Sequence, residues 1–251
     1  MSKLSPQKIE AAIEDGFSLN ISEYVSEAWE IFKTNAGGFI GFIIMLGIIR
    51  QVLGRITGAG DIFGAILSPI FYAGFFVVCH KISKKEHFDF ANFMDGFKMG
   101  QQVWLLGLVQ GIIFGLIAIF AFAPLGVMFF AGFSDFAGFA ALPIIGGLVA
   151  MVYLGVSWIY SIPIFVFFDV SFWQAMELSR RLTNRNFGAM LLFGLAMFGL
   201  TLLGLLALVL GLLVAIPVIN ISVYTSFVDI LHLEEEFEVD LMDHLVDDGD
   251  Y

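Results

Sequence analysis

Long apolar runs constrain this chain more than any other feature. Six stretches, 37–56, 62–80, 103–123, 142–168, 187–206 and 208–230, stay predominantly apolar over about twenty residues or more. That is the length an α-helix needs to cross the roughly 30 Å hydrocarbon core of a bilayer. Too little polar sequence remains to clothe them in water: 59% of the 251 residues are hydrophobic and 14% charged, against roughly 45–50% and about 25% in soluble domains. A segment in lipid must satisfy its backbone hydrogen bonds internally, which selects helices. The expected fold is therefore all-α: a polytopic membrane protein of about six transmembrane helices, paired as three hairpins. Two boundaries are weak. Residues 124–141 read as an apolar loop charged only at Asp135, and a tight turn must fit between Gly204 and Gly211.

The basic residues orient these spans, since Lys and Arg are retained on the cytoplasmic side. Lys3, Lys8 and Lys33 precede the first span. Lys81, Lys84, Lys85 and Lys98 separate the second from the third, and Arg180, Arg181 and Arg185 the fourth from the fifth. The opposite side has Arg50 and Arg55. An even number of spans then places both termini in the cytoplasm, at the plasma membrane. Residues 1–35 lack the short apolar region and small-residue cleavage site of a secretory signal, so insertion is expected to begin with the first span.

A repeat underlies the plan. Asn20–Lys33 carries Ile21, Tyr24, Val25, Ala28 and Phe32 at helical spacing, with Glu23, Ser26, Glu27 and Glu30 on the other face. Asp89–Met99 and Ser171–Arg185 have a similar character before spans three and five. Asn20 with Glu23, and Ser171 with Gln174, have the spacing of a capping box. "EAWEIFKTN" at 27–35 parallels "QAMELSRRLTN" at 174–184 with a short insertion, and the return spans contain Pro69, Pro163 and Pro217. Each hairpin is thus expected to be introduced by an amphipathic helix lying on the inner membrane surface. The division that follows is a cytoplasmic segment 1–20, a membrane domain 21–231 and a tail 232–251.

"ISEYVSEAWEIFKTN" before the first span and "FWQAMELSRRLTNRNFGAMLLF" before the fifth resemble a broad group of uncharacterised prokaryotic multi-pass membrane proteins. That group is similar to the membrane domain attached to some glycerophosphodiesterases. The resemblance covers nearly all of 21–231 and implies a six-helix membrane domain. The phosphodiesterase activity resides in a separate soluble domain that 251 residues leave no room for, so the resemblance implies no catalytic residue here.

Polar residues within spans are costly and mark candidate sites. Span six holds Asn220, Ser222, Tyr224, Thr225 and Asp229 after Pro217, and span four holds Ser157, Tyr160 and Ser161 before Pro163. Such groups either line a polar pathway or hydrogen-bond between helices. Arg50 and Arg55 either meet an anion or extend to the outer interface. Gly107, Gly111 and Gly115 form a small-residue stripe suited to close helix packing, within one chain or between copies. His80, His87, His232 and His244 lack metal-ligand spacing; the single cysteine, Cys79, excludes an internal disulfide; no nucleophile elbow, P-loop or zinc-protease motif is present. No cofactor is expected.

The net charge of −11 is concentrated in the tail, where residues 232–251 hold nine acids and no Lys or Arg. The rest is nearly balanced and offers no basic face to nucleic acid. Phe237, Leu241, Met242 and Leu245 recur at helical spacing among the carboxylates, a pattern suited to docking on a basic protein partner. Two functions remain: a non-enzymatic scaffold or accessory subunit with membrane lipids, a protein partner or a second copy as associates, or a transporter or exporter of a small molecule, amphiphilic ones included.

Overall fold

The computed structural model describes residues 3–57, 60–131, 137–207 and 210–233. Apart from an isolated bridge between Leu4 and Phe168, their regular structure is helical. The elements are α1 (Gln7–Asp15), α2 (Ile21–Thr34), α3 (Ala36–Thr57), α4 (Gly60–Ser83), a 3₁₀ helix (Phe90–Met99), α5 (Gln101–Ala131), α6 (Ala137–Ser157), α7 (Ser161–Phe167), α8 (Phe172–Arg185), α9 (Phe187–Leu206) and α10 (Leu210–Ile230). Five helical stretches are long and apolar enough to cross a membrane, and α4 adds a shorter apolar stretch, Leu67–Ser83.

Burial is distributed as lipid would require. Ile44, Ile48, Val52 and Ile56 form an exposed apolar stripe four residues apart on α3, and α5, α6 and α9 also display exposed Leu, Ile and Phe. The central positions belong to α4, α7 and α10. Their halves nearest the basic loops are almost wholly buried, from Pro69 to His80, Tyr160 to Phe168 and Pro217 to Val228. A helix apolar all round belongs in a protein interior or in lipid; here the two kinds form an inner and an outer layer.

The segments before the spans complete that core. α2 and α8 are each 14 residues long and bury equivalent positions: Tyr24, Ala28 and Phe32 in one, Ala175, Ser179 and Thr183 in the other. The same offset of 151 residues relates Asn35 to Asn186. These two asparagines have similar backbone angles, φ −149° and ψ 53° against φ −137° and ψ 60°. Each caps the following span, Asn35 Oδ1 accepting from Gly38 N–H at 3.1 Å and Asn186 Oδ1 from Ala189 N–H at 3.4 Å. The insertion expected from the wording of the two segments is therefore absent. Asn35 corresponds to Asn186, not Asn184, because caps and buried faces decide the register.

Contacts between the elements run in a ring. The 3₁₀ helix lies on α4, α8 lies on α7, and α2, near the start of the chain, lies on α10. The first of these contacts is the closest. A Cβ at Gly74 would overlap the Phe93 carbonyl oxygen, and one at Gly96 the Ile70 carbonyl oxygen. The apolar faces of α2 and α8 are thus covered by protein, where the sequence suggested membrane. Trp29 and Trp173 on these helices, and Trp104 at the start of α5, remain exposed at the same end of the bundle, as an interfacial aromatic belt would be.

One further expectation changes. Residues 124–141 are not one loop: α5 runs through Pro124 to Ala131, and α6 starts at Ala137 and contains Pro143. The span expected over 142–168 stands as one stretch, Ala141–Phe167, interrupted by a turn at Trp158–Tyr160 between α6 and α7. Residues 3–20 pack against the rest of the chain. Leu4 N–H donates to the Phe167 carbonyl at 2.8 Å and Asp169 N–H to the Leu4 carbonyl at 3.1 Å, while α1 packs on α8 with Ile9 fully buried.

Candidate functional site

The polar residues singled out in the fourth and sixth spans converge at the buried end of α7 and α10, where they bond to one another and to the amphipathic helices. Pro163 explains the break between α6 and α7. It has no N–H to offer the Ile159 carbonyl, so the helix ends and restarts. The break would leave buried backbone groups unpaired, and α8 supplies their partners. Ser179 Oγ donates to the Ser157 carbonyl at 2.8 Å and accepts from Tyr160 N–H at 3.2 Å. Thr183 Oγ1 lies 3.4 Å from the same carbonyl. Ser157 thus contributes its carbonyl to the junction. Ser161 Oγ donates to the Trp158 carbonyl at 2.7 Å and accepts from Gln110 Nε2 of α5 at 2.9 Å.

Part of the polar set of α10 bonds to its own helix. Asn220 Nδ2 donates to the Ile216 carbonyl at 2.8 Å, Ser222 Oγ to Val218 at 2.8 Å and Ser226 Oγ to Val223 at 3.0 Å. Other ties cross between helices. The Tyr160 and Ser226 hydroxyls are 3.0 Å apart, His80 Nδ1 is 3.2 Å from the Tyr224 hydroxyl, and Thr225 Oγ1 donates to the Tyr24 carbonyl at 3.2 Å. The Tyr24 hydroxyl donates to Asp229 Oδ2. Burial, together with the adjacent Asp229 carboxylate, pushes the Tyr24 phenol above its ordinary range, so the proton stays on the tyrosine.

This cluster is closed. Ser157, Tyr160, Ser222 and Ser226 have no exposed surface, and Ser161, Tyr224 and Thr225 have at most 5%. A side chain that a water-sized sphere cannot touch borders no water-filled path. Asn220, by contrast, is half-buried, and Asp229 is exposed at the end of α10. Tyr24, His80, Gln110, Ser179 and Thr183 belong to the cluster and were missed in the sequence. Ser179 and Thr183 had a legible signal, being two hydroxyls four residues apart on the apolar face of an amphipathic helix. Tyr24 occupied the equivalent face of α2.

The other candidates lie elsewhere. Arg50 and Arg55 are exposed on α3, and only Arg50 lines a cavity, of about 260 Å³, between α3, α4 and α10. Gly107 is buried, whereas a Cβ at Gly111 or Gly115 would meet nothing within 4 Å. The close approach of α5 to α6 instead occurs at Gly147 against Ala121. Among the described residues no group of three or more His, Cys, Asp or Glu could hold a metal ion. Phe237, Leu241, Met242 and Leu245 lie outside the described residues.

Charge at this end is organised around α8. Arg180 pairs with Glu177 at 2.6 Å, and its hydrogen bond holds the Glu177 carboxyl below its usual range. Arg181 lies 3.4 Å from Glu10, and Arg185 donates to the Glu14 carbonyl at 3.2 Å, both tying α8 to α1. Comparison with protein-family models, curated proteins and solved structures found no match to the chain.

Proposed function

We propose that this chain is a non-enzymatic scaffold or accessory subunit of the plasma membrane. Its six crossings pair as three hairpins, with the basic end, both termini and the acidic tail in the cytoplasm. One observation carries the reading: the polar side chains of α7 and α10 hydrogen-bond within and between helices, and Tyr160 and Ser222 have no exposed surface. A transporter of a small amphiphilic molecule would need such groups to face its cargo. The three-hairpin plan has support in the common register of α2 and α8 and in the ring of contacts that α2 closes on α10. It also accords with the resemblance to the membrane domain attached to some glycerophosphodiesterases, taken as a membrane module without the catalytic part.

The tail 232–251 is the proposed contact for a basic protein partner. Purification in mild detergent of the full chain and of a chain lacking 232–251 tests this. Loss of a reproducible partner with an unchanged melting temperature of the membrane domain is the expected result. Retention of every partner by the shortened chain defeats the scaffold reading. Solute uptake or export that falls on Tyr160→Phe or Asn220→Leu at normal protein abundance would favour transport instead.

A further inference from the structure

Residues 3–17 lie across α7 and α8 as a strap. Lys3 Nζ stands over the Phe165 ring, 5.1 Å from its centroid. Leu4 runs parallel to Phe168, whose backbone is extended at φ −112° and ψ 152°, and its N–H and carbonyl make one rung of β pairing there. α1 then follows α8. Glu10 reaches Arg181 at 3.4 Å, the Glu14 carbonyl accepts from Arg185 at 3.2 Å, and the Phe17 carbonyl accepts from Asn186 Nδ2 at 3.1 Å.

The strap is lightly held. Among its described residues Ile9 alone is buried. A helix of nine residues is marginal by itself, and an ion pair with both partners half-exposed adds little. Gly16, at φ +77°, ends α1 in a conformation that side chains disfavour, and residues 16–20 have no regular structure. The chain can swing there without disturbing α2. Surface segments with so few buried contacts open before the core does.

The seat beneath is firmer than its occupant. Its extended edge, the Phe167 carbonyl and the Asp169 N–H, joins α7 to α8 between buried residues Phe167 and Phe168. The strap serves the arginines of α8 poorly. Arg181 has a long ion pair and Arg185 a neutral carbonyl, where a well-placed carboxylate makes a shorter and stronger bond. We propose that residues 3–17 are a detachable strap, filling in cis a docking seat on α7 and α8 that takes an acidic segment of a partner protein when the strap lifts. The incoming backbone pairs with the Phe167–Asp169 edge, an aliphatic side chain takes the place of Ile9, and carboxylates meet Arg181 and Arg185. Pairing of this kind draws affinity from the main chain and selectivity from the side-chain seats. The seat goes beyond the scaffold reading and lies apart from the tail, so its test and the tail deletion are read independently.

A fluorescent peptide of residues 1–19 is the probe, titrated into the full chain in neutral detergent and read by polarisation. Two substituted full chains unseat the strap: Ile9→Asp puts a charge in its buried position, and Leu4→Pro removes the N–H that the Phe167 carbonyl accepts. Each is expected to take one peptide per chain, about tenfold or more tightly than the parent, whose own strap competes at the high local concentration of a tethered ligand. A peptide carrying Ile9→Asp binds no chain. Arg181→Gln with Arg185→Gln, added to an unseated chain, weakens the native peptide about fivefold, and Arg55→Gln, at the other end of the bundle, changes nothing. Failure of both unseated chains to fold, judged by melting temperature and elution profile, would make residues 3–17 part of the core and overturn the proposal. Equal peptide affinity of parent and unseated chains overturns it too, as does binding that survives loss of both arginines or never saturates. Dimers of the parent that dissociate on Leu4→Pro would give the seat to the strap of a second copy, against a separate partner.

Discussion

Ser179 shows how much one hydroxyl contributes when a helix breaks inside an apolar environment. Its oxygen meets both ends of the α6–α7 interruption, donating to the Ser157 carbonyl and accepting from Tyr160 N–H. Ser179→Ala leaves that N–H buried without its partner, a loss of about 1–3 kcal/mol. Asn220→Ala removes a bond within one helix and should cost about 0.6 kcal/mol or less. Thermal unfolding of the two variants in one detergent checks the contrast; equal losses would mean that Ser179 does not bridge the break. Pro163 and the hydroxyls of span four were visible in the sequence, and so was the polar pair Ser179 and Thr183, but not that Ser179 meets the backbone groups at the break. Ser179 lies on α8, and only folding brings it to the gap.

At the level of elements, amphipathic helices identified by their periodicity form where expected, yet their apolar faces meet protein. Tyr24, Ala28 and Phe32 of α2 and Ala175, Ser179 and Thr183 of α8 are core residues of a ring. The 3₁₀ helix makes the tightest of these joints, with Gly74 and Gly96 at its two points of backbone contact. Gly96→Val must push the Ile70 carbonyl away, and overpacking of this kind costs about 1–3 kcal/mol. Gly111→Val, at a position open within the chain, should be far milder. A fluorescence size-exclusion profile and a melting curve for each decide it, and a Gly96→Val protein as stable as its parent would refute the close contact. Periodicity could not separate these glycines, because it records spacing within one helix and not the distance to the next.

On the scale of the whole molecule, the basic residues other than Arg50 and Arg55 gather at the end where α2, the 3₁₀ helix and α8 sit. With Cys79 replaced by serine, a cysteine at Ser83 or at Ser171 should resist a membrane-impermeant maleimide in intact cells and react in inverted vesicles. Labelling of both from outside would reverse the proposed orientation. Cys79 itself is fully buried, so its replacement leaves the labelled surface unaltered. The pairing of α1 with α8 also belongs to this scale: Ile9 is buried and Leu4 is bonded to the end of α7, although residues 1–20 read as a separate polar segment.

The class of this protein was determined by its sequence alone, because transfer between water and lipid depends on the composition of each segment and not on its neighbours. Helix periodicity and the spacing of Ser171 from Gln174 are likewise local, and both were legible. Tertiary structure alone decided that the polar groups of α7 and α10 face one another, that Asn35 matches Asn186, and that α2 returns to cover α10. Those outcomes depend on contacts between residues up to 205 positions apart, as for Tyr24 and Asp229, and no local pattern carries the energy of a contact that only the closed ring creates.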